Sequence, residues 1–332
     1  MTDQKSATES LSEFDREAIL LAPGLGQSGP FSLDDDAAYQ RWRARKLEEF
    51  PKSVGDLVVE VGDMVNLTPA ETEAIRDRVR RAGMAVYKSP AQDDVDRAKD
   101  DVRALAGQFG MTRLDRNPYA DEDAITPLHV AAGQERLEQG RKMYIPYTNR
   151  AISWHTDGYY NTPSRRIRAM VLHCVRQAGG DGGENALFDP EMAYLLMRDV
   201  DPAMVAALCR PLAMTIPAND MDDEVVRGDV GGPVFSLNSA DNSLYMRYTA
   251  RKRNIVWADD DDTRRAVDFL TRLLDGEEGG EPYIFRHRMS SGEGLLCNNV
   301  LHTRTGFANG GEPGGERMML RARYLDRVAG TA

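Results

Sequence analysis

Residues 153–160 read SWHTDGYY, which sets His155 two positions before Asp157. On an extended backbone, positions i and i+2 project to the same side, so the pair can present an imidazole and a carboxylate to one metal ion. A mononuclear non-haem Fe(II) centre needs two imidazoles and one carboxylate on one face of an octahedron, with three positions open for a cosubstrate and O2. The second imidazole must come from elsewhere among the five histidines of the chain. His302 is the best placed, because it follows the strand-like run GLLCNNVL, 145 residues after Asp157. An antiparallel jelly roll brings such distant segments together. HxD alone is weak evidence, since a solvated His–Asp pair near a turn has the same spelling.

A second signal lies near the C-terminus, in RMMLRARYL. At period two, Arg317, Met319, Arg321 and Arg323 share one face of a strand, and Met318, Leu320, Ala322 and Tyr324 share the other. The apolar face suits packing under helices. The arginine face needs anions, because a buried guanidinium without a partner is costly. A solvated edge strand is the bland alternative.

Other residues are weighed the same way. His173 stands inside a strand beside Cys174 and reads as a core imidazole, while His287, between Arg286 and Arg288, reads as surface. His129 lies in an irregular region that could form a lid. The run MYIPYTNRAIS places Tyr144, Tyr147 and Asn149 just ahead of the metal motif, where they could line a polar pocket or simply pack; Tyr159 and Tyr160 share that ambiguity. GGDGGEN matches neither a P-loop nor GxGxxG and reads as a strand connection.

The elements that must carry these residues are mostly short strands. Thr68, Pro69 and Glu71 form an N-cap, an N1 proline and a capping box, and Gly83 supplies the C′ residue, which predicts a helix between them followed by the strand MAVYKS. A second helix is predicted across DDVDRAKDDVRALAGQFG, and two more across PEMAYLLMRD and DDTRRAVDFLTRLLDG. Between them run IRAMVLHCV, LAMTIPA, GPVFSL, SLYMRYT, PYIFRHRM and GLLCNNV, and many short strands joined by turns indicate a sandwich or barrel. Residues 111–150 carry no regular signal, and YQRWRARKLEEF is the one helical stretch expected before Thr68.

Composition narrows the partners. The net charge of −11 argues against nucleic acid, which needs a basic surface. No apolar run reaches a membrane span, and the polar N-terminus lacks a signal-peptide core. The three cysteines, Cys174, Cys209 and Cys297, are odd in number and widely spaced. They read as reduced core thiols of a cytoplasmic protein.

Together, SWHTDGYY, GGENALFD, CNNVLH and ERMMLRARYLD resemble the taurine dioxygenase (TauD/TfdA) family of Fe(II)- and 2-oxoglutarate-dependent oxygenases, over roughly residues 68–327. The resemblance implies a mainly β fold with flanking helices, a double-stranded β-helix (jelly roll, cupin-like) spanning residues 66–332, with residues 1–65 as a partly irregular N-terminal extension. It implies Fe(II), 2-oxoglutarate and O2 as cofactor and cosubstrates, with His155, Asp157 and His302 as iron ligands. Arg317 falls on the arginine that meets the distal carboxylate of 2-oxoglutarate, and Asn185 falls where many members use a threonine. Arg321 falls where taurine enzymes hold their sulfonate, with Arg323, Tyr144, Tyr147, Asn149 and Tyr159 as further candidates for the substrate. Ala151 stands where a polar side chain is expected, which speaks against taurine itself. Related halogenases carry a small residue in place of the aspartate, so Asp157 favours hydroxylation or desaturation.

The expectation is therefore a dioxygenase that oxidises a small anionic substrate with release of succinate and CO2; a homo-oligomer is left open. The rivals are a metal-dependent lyase or hydrolase on the same scaffold and a non-catalytic jelly-roll binding protein. The first lacks the glutamate base of an HExxH motif, and the second predicts a missing ligand.

Overall fold

The computed structural model describes residues 25–26, 28–116, 124–130, 148–221, 224–238, 241–251, 253, 255–309 and 316–332. Ten strands build two facing sheets. In chain order they are β1 (Val58–Glu60), β2 (Met84–Lys88), β3 (Ile125–His129), β4 (Ile152–His155) and β5 (Ala169–Arg176), then β6 (Asn185–Phe188), β7 (Phe285–His287), β8 (Glu293–Cys297), β9 (Leu301–Arg304) and β10 (Met318–Tyr324). The larger sheet has the order β1-β2-β8-β5-β10-β3 and the smaller one β7-β6-β9-β4. All pairings are antiparallel except β1 with β2.

Period-two alternation divides the larger sheet into two apolar faces. Met84, Val86, Met170, Leu172, Cys174, Leu295, Cys297 and Met319 point to the smaller sheet, where Leu187 shares the inner face with His155 and His302. Ala85, Tyr87, Val171, Val175, Leu296, Leu320, Ala322 and Tyr324 point the other way, onto helices α2 (Pro69–Ala82) and α3 (Val95–Gly107). With both faces covered, β5 is buried almost throughout. This is the jelly-roll sandwich, mainly β with flanking helices.

The helices begin and end where their caps require. Thr68 and Glu71 form the reciprocal capping box of α2, and Gly83 ends it in the left-handed region at φ 71°. Asp189 and Asp260 cap α4 (Pro190–Val200) and α6 (Asp261–Leu274), with α5 (Pro202–Leu208) packed between them.

Three features differ from the sequence expectation. The stretch from 111 to 150, read as irregular, contains β3, which closes one edge of the larger sheet against β10. Helix α1 (Asp36–Glu49) and β1 lie in the segment set apart as an extension, yet Tyr39, Phe50 and Leu57 belong to the central core. Finally, His287 is only partly exposed, and its Nε2 lies 3.0 Å from Glu293 Oε2. All three cysteines are buried and free. Among the described residues no helix is long and apolar enough to cross a membrane.

Candidate metal centre and active-site cavity

β4 ends at His155, and His302 sits directly opposite it on β9 as a cross-strand pair. The imidazole centroids are 4.2 Å apart. Asp157 follows two residues beyond, and the ligand atoms of all three side chains lie within 4.8 Å of one another.

Backbone groups aim the three ligands. His155 Nδ1 lies 2.9 Å from the Ser153 carbonyl and His302 Nδ1 2.9 Å from the Val300 carbonyl. A proton on each Nδ1 leaves each Nε2 lone pair free for a metal. The Asp157 backbone is held by Asn299, whose Oδ1 accepts the Asp157 N–H at 2.8 Å and whose Nδ2 donates to the Asp157 carbonyl at 3.0 Å. Nδ2 also reaches the Ile167 carbonyl at 2.7 Å. Next to Asp157 the turn needs a glycine: Gly158 has φ 68°, and a Cβ there would meet Ile167 Cγ1 at 2.5 Å.

Electrostatics favour a cation. Burial lowers the His155 imidazole to about 3, with His302 adding to the effect, and burial likewise lowers His302, so both rings are neutral and could each offer a lone pair. Burial alone would raise the Asp157 carboxyl, but Arg321, Arg323 and the two imidazoles together hold it well below the usual carboxylate range. Its Oδ1 accepts from Arg321 Nη1 at 3.2 Å, while the buried Oδ2 has no hydrogen-bond partner. Two imidazole lone pairs and an orphaned carboxylate oxygen converging on one point match the donor set of Fe(II).

A cavity opens beside the triad, enclosing about 400 Å3 of space that is partly open to solvent. Leu128, Ile152, Met170 and Leu172 form its apolar wall, and Asn185, Thr303, Arg304, Arg317 and Arg321 its polar one. Arg317 is buried, its guanidinium lies 5.2 Å from the Phe307 ring centroid, and no carboxylate or hydrogen-bond acceptor meets its side chain among the described residues. Burial lowers its pKa. Arg304 donates to the carbonyls of Thr148 and Arg150 at 2.6 Å each, clamping the segment that leads into β4. Burial, with Arg317 and Arg321 nearby, pushes it down to about 9.

The remaining candidates separate. Asn185 lines the cavity; its Nδ2 donates to the Thr303 carbonyl at 2.8 Å and its buried Oδ1 has no partner. Arg323, expected at the substrate, is instead held internally: its Nη2 meets Asp115 Oδ2 at 2.7 Å and its Nη1 the Tyr160 hydroxyl at 2.9 Å. A buried carboxylate already satisfies it, so it offers nothing to a ligand. Tyr159 is buried in the core edge-on to His155 rather than lining the cavity. Asn149 contributes its carbonyl to the Phe307 N–H at 3.0 Å. Tyr144 and Tyr147 lie outside the described residues. His173 belongs to the helix-covered face, with Nδ1 3.0 Å from the Tyr87 hydroxyl, and His129 is exposed at the end of β3.

Two residues of the site escaped the sequence reading. Arg304 stands two positions after His302, the same i, i+2 relation that made His155 and Asp157 conspicuous. Asn299 had a weaker signal, an asparagine just past a strand, where it adopts a left-handed φ of 52°.

The sequence model of the taurine catabolism dioxygenase TauD, TfdA family matches residues 45–323, and the chain belongs to this family. Its activity is that of an Fe(II)- and 2-oxoglutarate-dependent dioxygenase, with iron and 2-oxoglutarate as cofactor and cosubstrate. Solved structures share the fold. Asparagine oxygenase in complex with Fe(II), 2S,3S-3-hydroxyasparagine and succinate has a TM-score of 0.55 at 15% identity, over 95% of this chain and 92% of the other. The non-heme iron oxygenase OrfP, in complex with Fe, succinate and (3R,4R)-dihydroxy-L-Arg, has a TM-score of 0.54 at 14% identity, over 95% and 93%. PvcB from Pseudomonas aeruginosa has a TM-score of 0.53 at 14% identity, over 81% and 85%. Comparison with curated protein sequences returns no match.

Proposed function

We propose that this dioxygenase hydroxylates or desaturates a small substrate carrying an anionic group, with Arg317 holding 2-oxoglutarate and Arg321 facing the substrate. The observation that carries the proposal is the cavity wall itself: the guanidiniums of Arg317 and Arg321 line it, and among the described residues the carboxylate that meets either of them is Asp157, on Arg321. Arg317 is buried and meets no carboxylate among the described residues, and a dianion such as 2-oxoglutarate would supply a counter-ion.

His155, Asp157 and His302 would hold the iron, which when bound supplies O2 activation coupled to oxidative decarboxylation of 2-oxoglutarate to succinate and CO2. The chain's own part is positioning. Arg317 would form a charge-assisted, bidentate contact with the distal carboxylate, which fixes the cosubstrate's length and direction. Asn185, adjoining it in the wall, would take the same carboxylate through its remaining amide hydrogen. Arg321 spans Asp157 and the cavity, so an anion on it brings the neighbouring C–H bonds of the substrate close to the metal site. Leu128, Ile152, Met170 and Leu172 give that space an apolar wall for the carbon part of the substrate. A carboxylate-bearing substrate of amino-acid size satisfies these demands; the structures of asparagine oxygenase and OrfP hold hydroxylated amino acids.

The test is a pair of variants. Arg317→Leu should raise the KM for 2-oxoglutarate roughly 100-fold, since a charged hydrogen-bonded contact contributes about 3 kcal/mol. Arg321→Met should weaken the substrate while 2-oxoglutarate turnover uncoupled from substrate persists. An unchanged 2-oxoglutarate KM in Arg317→Leu, or a best substrate that is neutral or cationic, removes the assignment.

A further inference from the structure

Phe307 follows the end of β9, and the guanidiniums of two cavity arginines converge on its ring. The guanidinium carbon of Arg304 lies 5.0 Å from the ring centroid and that of Arg317 5.2 Å. Phe307 is itself buried, clustered with Val130 and Ala178. Charge alone disfavours both cations there. Burial lowers the pKa of each, and Arg317 adds to the lowering of Arg304. The face of a phenyl ring carries the negative part of its quadrupole, so one ring set against both guanidiniums offsets burial and mutual repulsion together.

The surrounding backbone fixes this ring. The Phe307 N–H donates to the Asn149 carbonyl at 3.0 Å. On the other side the glycine-rich run GGDGGEN lies against residues 306–308: the Gly183 N–H donates to the Gly306 carbonyl at 3.2 Å, and the Ala308 N–H to the Asp181 carbonyl at 2.9 Å. The approach is close enough to require a glycine at 182, which has φ 85° and where a Cβ would collide with the Gly306 carbonyl. Arg317 is anchored at its backbone, whose N–H donates to Asn309 Oδ1 at 3.1 Å, and Asn309 Nδ2 in turn reaches the Val130 carbonyl at 3.3 Å.

A cation–π contact holds a guanidinium through its charge and consumes none of its five N–H donors in a hydrogen bond. It can restrict the rotamers of Arg317 and still leave the N–H fork for a carboxylate, which an internal salt bridge would occupy.

We propose, on the reading of Arg317 as the 2-oxoglutarate arginine, that Phe307 is its positioning residue, the ring holding Arg317 in the rotamer that meets the distal carboxylate. Without the ring the guanidinium samples other rotamers, and the apparent affinity for 2-oxoglutarate falls with the fraction that stays competent. Through Arg304 the same ring steadies the clamp on the Thr148 and Arg150 carbonyls at the entry to β4.

The experiment is calorimetric titration of 2-oxoglutarate into the full-length protein, loaded anaerobically with Fe(II). Phe307→Leu, which keeps apolar bulk without a ring, should weaken 2-oxoglutarate about 5- to 20-fold, the range of a desolvated cation–π contact. Phe307→Tyr keeps the ring face and should stay within about twofold of the parent. Iron affinity, read by chelator competition, should stay within about twofold in both variants, which a general loosening of the site would not allow. Arg317→Leu, measured alongside, should lose about 100-fold, and adding Phe307→Leu to it should cost little more, because the ring then has no Arg317 to hold. Melting curves confirm folding, and Phe307→Met replaces Phe307→Leu if the latter does not fold. An affinity unchanged in Phe307→Leu but lost in Arg317→Leu overturns the role of Phe307 and leaves Arg317 as the anchor. So does a Phe307→Tyr variant as weak as Phe307→Leu, or a Phe307→Leu effect that persists in full without Arg317. An affinity unchanged in Arg317→Leu removes the anchor itself, and the role of Phe307 with it.

Discussion

Asn299 offers a direct measure of how far the metal centre depends on a residue that touches no metal. Its side chain satisfies three buried backbone groups, the N–H and C=O of Asp157 and the C=O of Ile167. Asn299→Gly deletes the three bonds while leaving the left-handed backbone, φ 52°, free of strain. At about 1 kcal/mol net per bond the loss is about 3 kcal/mol, and groups left without water would increase it. Relief of the left-handed conformation returns up to about 1 kcal/mol. Urea denaturation should therefore show a loss of about 2–4 kcal/mol, a large part of the stability of an ordinary domain. Asn299→Ala should be worse than Asn299→Gly, because it loses the same bonds and keeps the strained φ. With the Asp157 backbone released, iron affinity measured by chelator competition should fall about 10- to 100-fold, as for other groups that orient metal ligands. A Gly variant within about 1 kcal/mol of the parent, with unchanged iron affinity, would refute the claim that Asn299 positions Asp157.

Three further outcomes follow from the same contacts. Asp157→Ala should abolish tight iron binding, read by metal analysis, while circular dichroism shows an intact fold; retained iron would sink the triad assignment. Asp115→Ala should cost about 3–5 kcal/mol in denaturant unfolding, since it strands the buried guanidinium of Arg323; a loss below about 1 kcal/mol would show that water takes the carboxylate's place. Burial lowers His173 from 6.5 to about 4, so between these values the unfolded chain binds the proton that the folded one refuses. Its contribution is thus fully present above about pH 6.5 and lost as pH falls toward 4, a span worth about 3 kcal/mol, and His173→Gln should flatten that slope in pH-dependent melts.

The helices and long strands were legible because their determinants are local. The Thr68–Glu71 box, the Gly83 terminator and the Asp–Pro starts of α4 and α5 act within one turn of chain. The core strands β5 and β10 are long enough to declare their period. The short strands were harder to see. ITPLH of β3 contains a proline, and VVE of β1 is three residues paired with β2 at the edge of the sheet. Strands β4 and β9 are four residues each and carry the polar residues of the site, so their alternation reads as functional chemistry rather than as a buried face.

For the site, residue types at close spacing were readable and long-range partners were not. The period of β10 correctly places Arg317, Arg321 and Arg323 on the face toward the smaller sheet, with Leu320, Ala322 and Tyr324 under the helices. A shared face is not a shared environment, however. Arg323 meets Asp115, 208 positions earlier, and Arg321 meets Asp157, 164 positions earlier. Arg317 meets the ring of Phe307 and no carboxylate among the described residues. Two of the three guanidiniums thus face anions that the fold itself supplies, and the requirement for an external one falls most heavily on Arg317. Under the proposed assignment a dianion would enter at the Arg317 end, and any second anion would share Arg321 with Asp157, coupling substrate binding to the electrostatics of that carboxylate.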